Sequence, residues 1–251
     1  MPQTIATEDI ALEGALIRVI RMSRPEARNA MNSAMLTDLT DALVDADGHD
    51  RIAGVLLAGS GGAFSAGADV KEGGDEARRM ELFTVFYETL SNFRLPTVAA
   101  VEGPAIGGGA EAAIACDVRV AGAGATFRFP GAIYGIPVGP ARLVGQVGLG
   151  TAKDWVLSSR DVPAEEAARV GLVQHLVPEG QAEAAARSWL GLVASRQRST
   201  VLLQKKLLND FAGVRDRVAF ENDVLRAQAE LGELPPGLDV DLPRTVRPRR
   251  R

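Results

Sequence analysis

Short β-favouring runs alternate with stretches of helical apolar spacing through the first half of the chain, and no other feature restricts the fold as much. Ala15 to Met22 (ALIRVIRM) and Ala53 to Ala58 (AGVLLA) are β-favouring, and between them Asn32 to Asp47 sets Met35, Leu36, Leu39, Leu43 and Ala46 along one helical stripe. A second helical pattern spans Glu76 to Phe93, with Met80, Phe83, Tyr87 and Leu90 on its apolar face, and the strand-like Thr97 to Val101 follows. Strand, helix, strand, helix, strand predicts an α/β fold with largely parallel strands.

A helix starting near Gly107 and the strand-like Val118 to Ala121 extend the alternation. Residues 122–150 hold so many Gly and Pro breakers that a loop walling a pocket is expected there, carrying Phe127, Phe129, Ile133, Tyr134 and Ile136. From Ala164 the chain reads as mostly helical, with a strand-like break at Gly171 to Val177. Leu203, Leu207, Leu208 and Phe211 form one late stripe, and Val214, Val218, Val224, Leu225 and Leu231 another. Such amphipathic helices either cover their own core or pack on a partner subunit.

With 251 residues and 46% hydrophobic content, the chain can bury one large core. A net charge of −4 gives no global attraction to nucleic acid or to an anionic membrane, so neither is an expected partner. The first residues do not pair a basic segment with an apolar one, and no apolar run nears the roughly 20 residues that span a bilayer. The expected compartment is the cytoplasm, which agrees with a single cysteine, Cys116.

Two small-residue turns carry the chemistry: Phe64-Ser65-Ala66-Gly67-Ala68-Asp69, and Gly103-Pro104-Ala105-Ile106-Gly107-Gly108-Gly109-Ala110-Glu111 running into a helix. Small side chains let a ligand carbonyl approach backbone N–H groups, and the unpaired N–H groups of a helix start favour developing negative charge. The pair suits an oxyanion hole with Glu111 as an adjacent base. Gly107-Gly108-Gly109-Ala110-Glu111-Ala112 also fits a loose dinucleotide pattern, but that pattern needs an acidic residue about 20 positions on, and none occurs from Val118 to Lys153. Gly62-Ala63-Phe64-Ser65-Ala66-Gly67 is spaced wrongly for a nucleophile elbow. His49 and His175 are far apart and read as structural, and with one cysteine they make no metal-ligand cluster.

Taken together, these segments resemble the crotonase superfamily, also called the enoyl-CoA hydratase/isomerase family. Ser23-Arg24-Pro25-Glu26-Ala27-Arg28-Asn29-Ala30-Met31-Asn32 is similar to its R-P-x-x-x-N-A-[LM] segment. Phe64 to Glu72 matches the first oxyanion-hole motif, Gly103 to Asp117 the second, and Gly171-Leu172-Val173 with Val177-Pro178 a later strand. The resemblance implies a spiral of repeated ββα units over residues 1–195 that holds an acyl-CoA site. A C-terminal helical oligomerisation segment over 196–235 and a flexible basic tail over 236–251 would follow. It further implies a thioester oxygen held by the N–H groups of Ala68 and Gly108, a CoA path along Ala27, Arg28, Ala66 and Lys71, and a homotrimer or dimer of trimers. No separate cofactor is expected, since coenzyme A arrives as part of the substrate.

The chain departs from the hydratase pattern at one decisive place. Hydratases of the family carry a second glutamate after a proline, and here that segment reads Phe129-Pro130-Gly131-Ala132-Ile133-Tyr134-Gly135. Gly131 stands where the glutamate would be. Tyr134 is a candidate hydroxyl donor on the pocket wall, or simply a packed aromatic. Water addition needs one group to activate water and another to protonate carbon, whereas double-bond isomerisation needs a single carboxylate. The expectation is a single-glutamate enoyl-CoA hydratase/isomerase-type enzyme that leans to proton transfer. The alternatives are a non-catalytic acyl-CoA-binding homologue and a specialised decarboxylase or C–C hydrolase.

Overall fold

A computed structural model describes residues 4–12 and 14–232. The expected 236–251 tail and the last residues of the 196–235 segment lie outside the described residues. Among the described residues, six strands form the main sheet. Strand β1 (Ile5–Leu12) pairs antiparallel with β2 (Ala15–Met22). The sheet then continues in parallel through β3 (Ile52–Gly59), β4 (Thr97–Val101), β6 (Val118–Gly122) and β9 (His175–Val177).

Parallel strands need cover on both faces, and the sequence provides it by alternation. Ile17 and Val19 of β2, Leu56 of β3, Val98 of β4 and Val120 of β6 pack on Ala182, Ala186 and Leu190 of α8 (Ala182–Ala194). The intervening Ile20, Met22, Val55 and Leu57 face the larger core with Met35, Leu36, Leu39 and Leu43 of α1 (Ser33–Gly48) and Phe86 and Leu90 of α2 (Glu76–Ser91).

The second sheet joins β5 (Pro104–Ile106), β7 (Thr126–Arg128) and β8 (Val162–Pro163). Isolated bridges Met31–Ala68 and Ser65–Ala105 extend it back toward the N-terminus. Each long parallel strand therefore leads into a short piece of the second sheet and then into a helix. Thus β2 leads through Met31 to α1, β3 through Ser65 and Ala68 to α2, and β4 through β5 to α3 (Gly108–Ala115). This is the spiral of repeated ββα units the resemblance implies.

Residues 122–150 are not the loop expected from their composition. They contain β7, α4 (Gly131–Tyr134), α5 (Pro140–Val147) and the start of α6 (Leu149–Ser158). Glycine and proline here punctuate short helices rather than prevent them: Pro140 opens α5 behind Gly139, and Gly148 separates α5 from α6.

Two further helices close the described chain. No residue of α9 (Arg198–Ala212) is buried, and Leu203, Leu207, Leu208 and Phe211 are exposed along it. Helix α10 (Val214–Leu231) instead folds back onto α2 and α5 of the same chain, burying Val218, Val224 and Leu225. No helix among the described residues is long and apolar enough to cross a membrane.

Candidate active site

The two turns are laced together from below. Ser65 N donates to Pro104 O at 3.0 Å and Ile106 N to Ser65 O at 2.9 Å. The buried Ser65 hydroxyl donates to Asn29 O at 2.7 Å and accepts from Gly67 N at 3.1 Å. Asn29 anchors the 24–32 segment by donating from Nδ2 to Ser60 O and Ala63 O, both at 2.8 Å. Glycine is required at the seam. Gly67 has φ +90°, and a Cβ there would lie 2.5 Å from Ile106 O and 3.1 Å from Gly108 N. On Gly109 a Cβ would come within 2.5 Å of Ser65 O.

This lacing leaves two amides free. The bonds from Met31 N to Gly67 O and from Asp69 N to Met31 O pass either side of Ala68, and Gly108 is the first residue of α3. Neither the Ala68 nor the Gly108 N–H donates to an acceptor among the described residues. Just beyond them, Asp69 pairs with Arg24 at 2.9 Å and accepts from Lys71 N at 3.0 Å. Burial acts to raise the Asp69 pKa, but these donors together hold it below the usual value.

Glu111 projects from the first turn of α3 and is almost sealed, at 1% exposure. Arg142 of α5 donates from Nε to Glu111 Oε2 at 2.8 Å and from Nη2 to Glu221 Oε1 of α10 at 2.6 Å. Glu221 Oε2 in turn accepts from Ala141 N at 2.8 Å. The guanidinium also lies 4.7 Å from the ring centroid of Tyr87 on α2. Burial pushes the Glu111 pKa up to about 7; Arg142 opposes that rise and Glu221 adds to it. Arg142 is held further toward its charged form by the two carboxylates, against its own burial. For Glu111 burial wins, because its one cationic partner among the described residues is shared with a second carboxylate.

Gly131 is buried at the start of α4, and a Cβ on it would lie 2.3 Å from Ile136 O. Tyr134 is 67% exposed at the end of the same helix. Of the residues expected on the CoA path, Arg28 is exposed with φ +50° and its carbonyl accepts from Ala66 N at 2.9 Å. Ala27 is half-buried beside Arg28, and Lys71 is exposed two positions past Asp69. Arg142, Glu221 and Tyr87 were not identifiable as site residues from sequence. The one visible signal was Arg142 itself, a lone charge in the otherwise uncharged run from Ile136 to Gly150. Among the described residues no group of His, Cys, Asp and Glu is placed to hold a metal ion.

Two unpartnered backbone N–H groups and a buried carboxylate in the first turn of α3, on a ββα spiral, suggest a class of protein, and comparison with known proteins agrees. The sequence profile of the enoyl-CoA hydratase/isomerase family matches residues 13–226. The short-chain-enoyl-CoA hydratase of Clostridium acetobutylicum is 32% identical over 202 residues, covering 77% of each chain. A solved enoyl-CoA hydratase from Bacillus anthracis superposes with a TM-score of 0.79 at 28% identity, covering 92% of this chain and 90% of that one. A monofunctional enoyl-CoA isomerase from M. smegmatis gives a TM-score of 0.74 at 28% identity, covering 84% and 94%. The chain belongs to the enoyl-CoA hydratase/isomerase family and is an enzyme of that kind.

Proposed function

We propose that this chain moves a proton on an acyl-CoA thioester through an enolate. In this reading the Ala68 and Gly108 N–H groups hold the thioester oxygen and Glu111 serves alone as acid and base. The observation that carries it is the juxtaposition of two unpartnered amides with one buried carboxylate in the first turn of α3. A thioester α-proton is weakly acidic, so its removal depends on stabilising the enolate oxygen, and each fixed donor is worth on the order of 3 kcal/mol by analogy with oxyanion-hole deletions. A carboxyl with a pKa raised to about 7 can both accept and return a proton near neutrality. Met31 and Phe83 close over Gly108, where a Cβ would lie 2.9 and 3.0 Å from their side chains, which favours an apolar acyl group.

Isomerisation is favoured over hydration because Gly131 has no room for a second carboxylate. Ala27, Arg28, Ala66 and Lys71 form the CoA path in this reading, with coenzyme A entering only as part of the substrate. A homotrimer or dimer of trimers is also proposed. The exposed apolar stripe of α9, beside a groove of about 550 Å³ lined by Gln146, Val201, Lys205 and Leu208, supports burial against other copies. A cytoplasmic setting accords with the sequence.

The test is incubation with 2-enoyl-, 3-enoyl- and 3-oxoacyl-CoAs in D2O, read by mass spectrometry. Deuterium entering at the α-carbon with double-bond migration is the expected result. Binding without exchange in any of them would replace this reading with that of a non-catalytic acyl-CoA binder, and CO2 release from an added 2-carboxyacyl-CoA of the malonyl type with that of a decarboxylase.

A further inference from the structure

Tyr87 sits beside the oxyanion donors and no established role accounts for it. Its residue is only 2% exposed, yet its hydroxyl hydrogen-bonds to nothing among the described residues. Buried tyrosines ordinarily satisfy their hydroxyl within the protein, whereas the Tyr87 oxygen has no such partner and is not sealed among the fully buried polar atoms of the core. The oxygen stands over the second turn: a Cβ built on Gly108 would lie 2.9 Å from it. The phenol and the free Gly108 N–H therefore border the same small space.

The ring cannot swing away to find another partner. Its centroid is 5.7 Å from those of both Phe83 and Phe86, and the Arg142 guanidinium lies over its face at 4.7 Å. That guanidinium is the one gripping Glu111 and Glu221, so the phenol is fixed with respect to the acid/base group as well as to the amide. A donor that is held in place, has no partner and borders the free Gly108 N–H has the features such a site requires.

We propose that Tyr87 is a catalytic residue, its hydroxyl donating a third hydrogen bond to the thioester oxygen as that oxygen gains enolate charge. The assignment rests on the enolate reading of the site given above. Burial, reinforced by Glu111 and Glu221, drives the phenol pKa well upward, so the group stays protonated and acts as donor, not base. No covalent bond forms to the tyrosine and no proton need leave it.

Tyr87→Phe is the discriminating variant, because it keeps the ring, its aromatic neighbours and the Arg142 contact while removing one O–H. The expected result is a Tm within about 2 °C of wild type and a kcat for α-proton exchange lower by roughly 10 to 1000-fold, with KM changed by less than about threefold. A second measurement does not depend on turnover. Acetoacetyl-CoA bound to the wild-type enzyme should ionise to its absorbing enolate at a pH about one unit or more below that for Tyr87→Phe. Unchanged kcat and unchanged enolate titration would overturn the proposal. So would a Tm loss of about 5 °C or more, which would show that the hydroxyl is bonded inside the protein. If the wild type exchanges no α-proton, the enolate reading fails by itself, and the acetoacetyl-CoA titration still decides whether Tyr87 touches the ligand.

Discussion

Arg142 Nε meets Glu111 Oε2 at 2.8 Å with both side chains at most 2% exposed, which makes the acid/base candidate half of a buried ion pair. A lone pair of this kind would hold the carboxyl ionised. Here the guanidinium divides its attraction with Glu221 at 2.6 Å, leaving two carboxylates to one cation in a dry setting. The carboxyl is thereby tuned toward neutrality by a residue of the last described helix, far in sequence from either small-residue turn.

Replacing Glu111 with Gln keeps the shape of the side chain and leaves Arg142 paired with Glu221. The variant should fold, bind acyl-CoA with affinity within a few-fold of wild type, and lose about 10² to 10⁴-fold in kcat for α-proton exchange. Unchanged turnover of every accepted thioester would remove Glu111 from the mechanism.

The pH dependence follows from the raised Glu111 pKa. As a base the group must be ionised, so kcat/KM should rise with pH, about tenfold per unit, and level off near its pKa of about 7. Glu221→Gln removes a repulsion and should move this limb to lower pH; Arg142→Gln removes an attraction and should move it higher. Stability runs the other way. The folded state holds the Glu111 proton more tightly than the unfolded chain, so this contribution is complete below the ordinary glutamate value of 4.5 and is lost as pH rises through about 7. The Tm of wild type minus that of Glu111→Gln should therefore fall between about pH 5 and about pH 8 in calorimetry.

Arg142→Met leaves Glu111 and Glu221 buried with no counter-charge. Breaking a buried pair in this way costs about 3 to 5 kcal/mol, which for a chain of this size is roughly 6 to 20 °C in Tm. Adding Glu221→Met to the variant removes one of the stranded charges and should recover part of that loss. No recovery in the double variant would show that packing, not charge, dominates at this position.

Much of the scaffold was written locally and the site largely was not. Ala15–Met22 and Thr97–Val101 are strands at the boundaries their β-branched and apolar content predicts, and α1 and α2 lie where apolar spacing put them. The two small-residue turns were legible because glycine at Gly67, Gly107 and Gly109 is forced by local backbone contact or positive φ. The misreading of 122–150 has a physical cause. Each helix there spans only 4 to 10 residues behind a capping glycine or proline, so its apolar spacing runs too briefly to stand out as a period. Arg142, Glu221 and Tyr87 converge on Glu111 from three separate helices, and no local spacing encodes such a meeting.

Gly139→Ala tests how tightly the Glu111 carboxyl is held. Gly139 has φ +113°, and a Cβ on it would lie 2.6 Å from Glu111 Oε1. The substitution should cost about 1 to 3 kcal/mol in backbone strain and displace the carboxyl. The expected kinetic result is a kcat loss larger than any change in KM; a purely thermal effect with normal kcat would mean the carboxyl moves freely.

Gly131→Glu is the direct attempt to restore the two-glutamate arrangement of a hydratase, and it should fail. The obstruction at 2.3 Å is the backbone carbonyl of Ile136, not a side chain that could rotate aside, and Ile136 N is itself tied to Gly131 O at 2.9 Å. Any side chain at 131 must open that closed turn, at a cost of about 1 to 3 kcal/mol or more, and would carry an extra carboxylate into a region already holding Glu111 and Glu221. Thermal melting should show a loss of at least about 2 °C, and loss of enoyl absorbance on adding a 2-enoyl-CoA in water should be no faster than for wild type. A Gly131→Glu protein with normal Tm and accelerated hydration would mean that the turn yields readily. The absence of a second glutamate would then reflect only the residue at 131 and not the architecture around it.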